Sequence, residues 1–261
     1  MKERLCLIGL DQAEYEIIRD AYNGPIMWLE SVPKIVVSGE KLFVESNKGL
    51  GMLLVDKVVY HGIYDDDFDF LSGLAMWDGK CFPNPYAMMN CRLKLPCLVR
   101  ALRASNFASK RGYISKDTAL ETSSIKVAKW GNWHCGENKE KFTGTWMSQH
   151  SSIIEPFFEG EAVRIILIGE QAWQIKLEGE DWLKSIHSDK AGFMEIDQEL
   201  LADTIQIRDA LEMNLIANDY IVGKDGKKHL LEVNHIPNVT RFEELRKAYL
   251  DFVVKDFLGE E

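Results

Sequence analysis

Residues 214–237 read NLIANDYIVGKDGKKHLLEVNHIP, and this stretch carries the most structural information in the chain. Two apolar runs, 214–222 and 229–234, flank the turn-forming Lys224-Asp225-Gly226-Lys227, which predicts a pair of antiparallel strands. Side chains two apart on a strand share a face, so Glu232 and Asn234 point the same way. If the hairpin brings Asp219 beside Glu232, three oxygen donors converge. That set suits magnesium, held by carboxylates and completed by water and phosphate. The competing reading is a sheet whose outer face is wet, with Glu232 and Asn234 merely meeting water. Spacing alone leaves both readings open.

Working outward, 163–169 and 171–177 alternate as strands. Ile196, Leu200, Leu201, Ile205 and Leu211 recur at helical spacing. Thr240-Arg-Phe-Glu243 predicts a capping box for a C-terminal helix carrying Phe242, Leu245, Tyr249, Phe252, Val253 and Leu258. Upstream, residues 125–130 read as a strand leading into a loop with glycines at both ends, and Pro96 sits near the start of a helix bearing Leu98, Ala101 and Leu102. The first 60 residues read as β-α-β with Asp11 and Glu14 capping the helix, followed by a hairpin turning at Ser38-Gly39-Glu40 and one or two further strands over 52–61. Three consecutive acids, Asp65-Asp66-Asp67, could chelate a cation but read better as a solvated loop. Local punctuation at Pro83-Asn84-Pro85 divides the chain into 1–83, 84–150 and 151–261.

With 46% hydrophobic and 28% charged residues, 261 residues are enough for a substantial core without staples. A net charge of −10 opposes attraction to phosphate backbones and anionic membranes, so neither nucleic acid nor a membrane is an expected partner. No apolar run reaches the roughly 18 residues of a membrane span, and the opening MKERLCLIGLDQAEY lacks the apolar core of a signal peptide. The cytoplasm is the expected compartment. Five cysteines without a CxxC pair read as reduced structural thiols; Cys135 beside His134 invites a nucleophile reading, although adjacent side chains usually diverge.

The ordered set of polar residues resembles the ATP-grasp superfamily, whose carboxylate ligases end their nucleotide site with an acid, a gap and then E-x-N-x-x-P. Here these are Asp219 and Glu232-Val-Asn234-His-Ile-Pro237. The resemblance runs collinearly over about 84–240, through NPYAMMNCRLK (84–94), Lys129, a glycine-bearing loop, IIEPF with Glu155, Glu161 and Arg164, and is similar to the glutamate-ligating and peptide-ligating members. It implies an α/β (α+β) ATP-grasp fold in which a small N-terminal α/β domain precedes two subdomains enclosing ATP. The activity it implies is ATP-dependent ligation of a carboxylate to an amine through an acyl phosphate, with small-molecule or peptide substrates. A kinase of the same fold and a non-catalytic nucleotide-binding module are the alternatives. Many similar ligases are dimers, so a homodimer is among the assembly states it allows.

Position by position, the resemblance implies that Lys94 and Lys129 meet the ATP phosphates beneath the loop bearing Gly131 and Gly136. Glu155 to Phe158 form the adenine hinge, with Phe157 or Phe158 as the apolar wall. Glu161, or else Glu159, is the ribose partner. Asp219, Glu232 and Asn234 hold Mg2+, while Arg164, assisted by Lys176, stabilises the transferred group. Ala217 stands where some ligases carry an arginine, which leaves Arg164 as the main candidate for that work.

Overall fold

A computed structural model describes residues 2–49, 51–132, 138–179 and 182–260. The N-terminal region contains β1 (Leu5–Ile8), α1 (Gln12–Ala21), β2 (Ile26–Leu29), β3 (Ile35–Ser38), β4 (Lys41–Glu45), β5 (Met52–Val55), β6 (Lys57–Tyr60), α2 (Asp67–Trp77) and β7 (Lys80–Phe82). β2-β1-β6-β7 form a parallel sheet, and β3-β4-β5 a separate antiparallel one, so the two strands read over 52–61 belong to different sheets. The capping box at α1 is present: Asp11 Oδ1 accepts from the Glu14 N–H, and Glu14 Oε2 from the Asp11 N–H. Ile18 is buried but Ile17 is exposed, because only one of two successive helical positions can face the sheet. Gly9 has φ +79°, and a Cβ there would lie 2.2 Å from the His61 carbonyl oxygen, so only glycine lets the ends of β1 and β6 approach.

The acidic loop departs from its solvated reading at one position. Asp65 and Asp66 are exposed, whereas Asp67 begins α2 fully buried. Its carboxylate accepts from the Tyr60 hydroxyl at 2.8 Å and from the Tyr64 N–H at 2.9 Å, and pairs with the Arg92 guanidinium. A buried carboxylate requires such partners, and Arg92 fills the place of the cation.

The central region holds α3 (Pro85–Cys91), α4 (Lys94–Ala104), β8 (Gly112–Ile114), β9 (Ala119–Trp130), β10 (Lys139–Met147) and β11 (Ser152–Pro156), the strands forming an antiparallel sheet in the order β10-β9-β11-β8. The last region contains β12 (Glu161–Ile168), β13 (Gln171–Lys176), β14 (Gly192–Met194), α5 (Gln198–Ala210), β15 (Leu215–Val222), β16 (Lys228–Asn234) and α6 (Glu243–Asp251), whose last turns widen into a π-helix over Phe252–Leu258. Its antiparallel sheet runs β14-β13-β12-β15-β16.

Strand alternation gives this sheet two unlike faces. Val163, Ile165 and Leu167 of β12 and Ile216 and Tyr220 of β15 meet α4 and α5; Ala162, Ile166 and Ile168, with Leu215 and Ala217, meet the core shared with α1 and α6. Leu245, Tyr249, Val253 and Leu258 enter that core as the periodicity predicts. The capping box at Thr240 does not form: no side chain caps α6, and the Thr240 N–H and hydroxyl donate instead to Asn238 Oδ1, at 2.9 and 3.1 Å. Asn238 also takes the Arg241 N–H, and three local donors outcompete the cap. Among the described residues, no helix is long and apolar enough to cross a membrane.

Candidate active site

Three neighbouring strands present one row of charge. Arg164 on β12 lies opposite Asp219 on β15, which lies opposite Glu232 on β16. Leu231 is the extra residue of a bulge in β16, since Tyr220 pairs with Leu230 and Asp219 with Glu232. Such a bulge re-aims the side chains beyond it. Asn234 follows two pairs further along, opposite Ala217. Arg164 grips Asp219 with both arms of its fork, Nε to Oδ1 at 2.6 Å and a terminal nitrogen to Oδ2 at 2.8 Å. Burial works against the Arg164 charge, yet Asp219 and Glu232 outweigh it and hold its pKa above the ordinary arginine value.

Cations approach this row from elsewhere in the fold. Lys94, the first residue of α4, is 3% exposed and reaches Glu232 Oε2 at 3.3 Å; Lys129 at the end of β9 is 5% exposed and meets Glu155 Oε1 at 2.7 Å. Both burials exclude the ordinary surface-lysine reading. Gly131, with φ +72°, turns the chain out of β9. The next residue's carbonyl oxygen, that of Asn132, accepts the Lys94 N–H at 3.3 Å. Gly136, His134 and Cys135 lie outside the described residues.

Beside the row opens a pocket lined by Val127, Phe157, Phe158, Leu177, Trp182 and Leu231, with Lys129, Lys139, Asp219 and Glu232 at its polar end. Phe157 stands edge-on to Trp182, ring centroids 6.2 Å apart, and Phe158 stacks on His229 at 4.1 Å. The pocket lining thus combines aromatic and apolar walls with lysines and carboxylates, the mixture a base and its phosphates require. A second depression continues from the same polar end, where Arg164, Lys184, His187, Asn234 and Asn238 line it.

Not every predicted residue arrives here. Glu161 and Lys176 pair with each other at 2.7 Å on the opposite face of the sheet, the α5 face, because they are out of phase with Arg164 along β12 and β13. Glu159 is exposed and lines neither depression. Glu155 lines the pocket, and its side chain pairs with Lys129 and Arg111. His235 is buried beside the row rather than in a depression.

Lys139 is absent from the sequence expectations. It lies opposite Lys129 in the β9–β10 pair and lines both depressions; burial, with Lys129 and Lys94 nearby, lowers its pKa against the pull of Glu232 and Asp219. Its only sequence signal is the period-two spacing of Lys139 and Lys141. Trp182 and Lys184 carry no such signal. The described cysteines are free thiols, and burial pushes Cys6 up to about 12, which makes it inert.

Among the described residues, no group of three or more His, Cys, Asp or Glu side chains gathers as a metal site. Asp219, Glu232 and Asn234 line one depression, and a set of two carboxylates and one amide fits magnesium, which commonly uses one or two carboxylates and completes its shell with water and phosphate.

No family model matches the chain, and no curated protein matches it by sequence. Solved structures match it over nearly its whole length. The RiPP-associated ATP-grasp ligase of Chryseobacterium gregarium, in complex with ADP and a leader and core peptide, aligns at 13% identity with a TM-score of 0.63, covering 97% of each chain. D-alanyl-alanine synthetase A of Vibrio cholerae aligns at 13% identity and a TM-score of 0.65, covering 98% of each. This chain has the ATP-grasp fold. A macrocyclase of Microcystis aeruginosa bound with its precursor peptide shares it as well, at 13% identity and a TM-score of 0.62, with 97% of this chain and 99% of that one covered. The strand–acid–strand arrangement of Asp219 and Glu232 is therefore set in an ATP-grasp framework, as the sequence resemblance implies.

Proposed function

We infer that this ATP-grasp protein is an ATP- and Mg2+-dependent ligase that joins a carboxylate to an amine through an acyl phosphate. The observation that carries the reading is the cross-strand row Arg164–Asp219–Glu232, set where buried Lys129 and half-buried Lys139 line an aromatic-walled pocket and buried Lys94 pairs with Glu232. Phe157, Phe158 and Trp182 take the adenine, and hinge backbone groups take its polar edge. Because the Phe157 N–H already donates to the Ile125 carbonyl at 3.1 Å, and Pro156 has no N–H, we assign the hinge donor to Phe158 or beyond. Lys129, Lys94 and Lys139 neutralise the phosphates as point charges. Asp219, Glu232 and Asn234 would hold magnesium, which when bound supplies charge neutralisation at the transferring phosphoryl group.

The chemistry needs no protein nucleophile. A substrate carboxylate oxygen bonds to the γ-phosphorus as the bond from γ-phosphorus to the β–γ bridging oxygen breaks, releasing ADP; the amine then bonds to the acyl carbon, the acyl C–O bond breaks, and phosphate departs carrying the proton lost by the nitrogen. Arg164, Lys184 and His187 line the depression where these groups would meet, and the fork of Arg164 suits oxygens that gain charge. Glu161 and Lys176, on the far face, have no part in it.

Peptide carboxylates and amines are the favoured substrates, since structures sharing the fold hold peptides, with a small amino acid as the other class. The reading places the protein in the cytoplasm, where ATP and Mg2+ are supplied.

Hydroxylamine tests it whatever the natural amine is. Incubated with ATP, Mg2+, hydroxylamine and pools of acidic peptides or amino acids, the protein should yield a hydroxamate together with ADP. ADP release with phosphate retained on a hydroxyl of the product would point to a kinase instead.

A further inference from the structure

Behind the nucleotide pocket, Glu155 sits between two cations. Its Oε1 is 2.7 Å from Lys129 Nζ, its Oε2 accepts from Arg111 Nε at 3.1 Å, and the three side chains are 3%, 7% and 6% exposed in the order Glu155, Lys129, Arg111. Lys129 and Glu155 line the pocket, whereas Arg111 does not. The remaining Arg111 donors are spent on backbone: one terminal nitrogen meets the Ser109 carbonyl at 2.7 Å and the other the Leu230 carbonyl at 2.6 Å. Lys129 also donates to the next carbonyl, that of Leu231, at 3.1 Å. Arg111 and Lys129 thus anchor the central sheet to β16 at the bulge that aims Glu232.

Charge counting separates this cluster from an ordinary strut. One carboxylate faces two cations, so a positive charge is left over, and the only cation of the two that reaches the pocket is Lys129. Without Arg111, Glu155 would neutralise Lys129 completely, and in a site of low polarity that attraction is strong. We propose that Arg111 is a positioning residue that neutralises Glu155 from behind the pocket, leaving the charge of Lys129 available to the nucleotide phosphates. This rests on the assignment of Lys129 to the phosphates under the proposed function.

The test is calorimetric titration of the full chain with ATP and Mg2+, alongside melting temperatures, for the parent, Lys129→Met, Arg111→Met, Glu155→Gln and the Arg111→Met/Glu155→Gln pair. Arg111→Met should weaken ATP binding by about tenfold, the scale of one pairwise charge effect. Adding Glu155→Gln should restore affinity to within about threefold of the parent, because the amide no longer holds the lysine charge. A strut with no electrostatic role forecasts the opposite: the double variant should bind as weakly as Arg111→Met or worse. That result, or unchanged affinity in Arg111→Met, overturns the proposal.

Should Arg111→Met not fold, Glu155→Gln alone decides, since two unneutralised cations should lower the melting temperature of the free protein yet bind ATP at least as tightly as the parent. Weaker binding overturns the proposal. If Lys129→Met binds ATP normally, or the parent binds none, the phosphate assignment fails first and the proposal falls with it. If Lys129→Met binds weakly and Arg111→Met normally, the proposal alone falls.

Discussion

Replacing Glu232 by glutamine should lower ATP-dependent turnover by about a hundredfold or more while leaving a folded protein. The amide keeps the shape of the side chain and its place opposite Asp219 but removes one of the two carboxylate charges that suit magnesium. Loss of a directly ligating carboxylate should exceed the roughly 10- to 100-fold typical of outer-shell partners. Glu232 also pairs with Lys94 at 3.3 Å, so the glutamine leaves a buried lysine without that partner and should lower the melting temperature by a few degrees. Phosphate and ADP release at fixed ATP, followed while Mg2+ is raised to saturation, measures both effects. Turnover within a few fold of the parent at ordinary Mg2+ would remove Glu232 from the metal set.

The second large effect belongs to Arg164. Arg164→Met should reduce turnover per folded molecule by about a hundredfold, the scale of losing one donor aimed at developing charge. The fork onto Asp219 adds a cost that the sequence could not reveal. Both partners are nearly buried, with side chains 12% and 14% exposed, so methionine leaves Asp219 uncompensated and stability should fall by about 3 kcal/mol. Stability loss by itself therefore does not distinguish a catalytic arginine from an ion-pair arginine, because the structure contains the pair in either case. Turnover does. A lysine is not an adequate substitute at this position: Arg164→Lys should recover part of the stability through its charge and little of the turnover, since a point charge cannot span two oxygens. Normal turnover by the surviving folded Arg164→Met protein would reduce Arg164 to an interstrand strut.

What the sequence made legible was whatever a period of two or a local motif could encode. The strands of Asp219 and Glu232 and the turn between them follow from 214–237, whereas their side-by-side placement, left conditional by the sequence, depends on the bulge at Leu231. Lys94 and Lys129 stand out through collinear resemblance, and their burial is consistent with that expectation. Misses arose where the third dimension decided the matter. Glu161 lies only three residues before Arg164, yet an odd separation on a strand puts it on the opposite face, and Lys176 follows it through the strand pairing. Parity alone could have shown this. Lys139 depends on the pairing of β10 with β9, and Trp182 on a distant segment reaching Phe157, neither of which leaves a local pattern. Asp67 reads as solvated in sequence because its partner, Arg92, is 25 residues away.

The most direct measurement titrates ATP into the folded chain with and without Mg2+ and records heat and melting temperature together. A nucleotide held by Lys94, Lys129 and Lys139 at one end and by carboxylate-bound magnesium beside them should bind tightly only with Mg2+ present. It should then stabilise the fold by mass action, by about 2.7 kcal/mol at a hundredfold excess over Kd. No binding, or equal binding and equal stabilisation with Mg2+ removed, would contradict the assignment of Asp219, Glu232 and Asn234 as a metal site serving ATP.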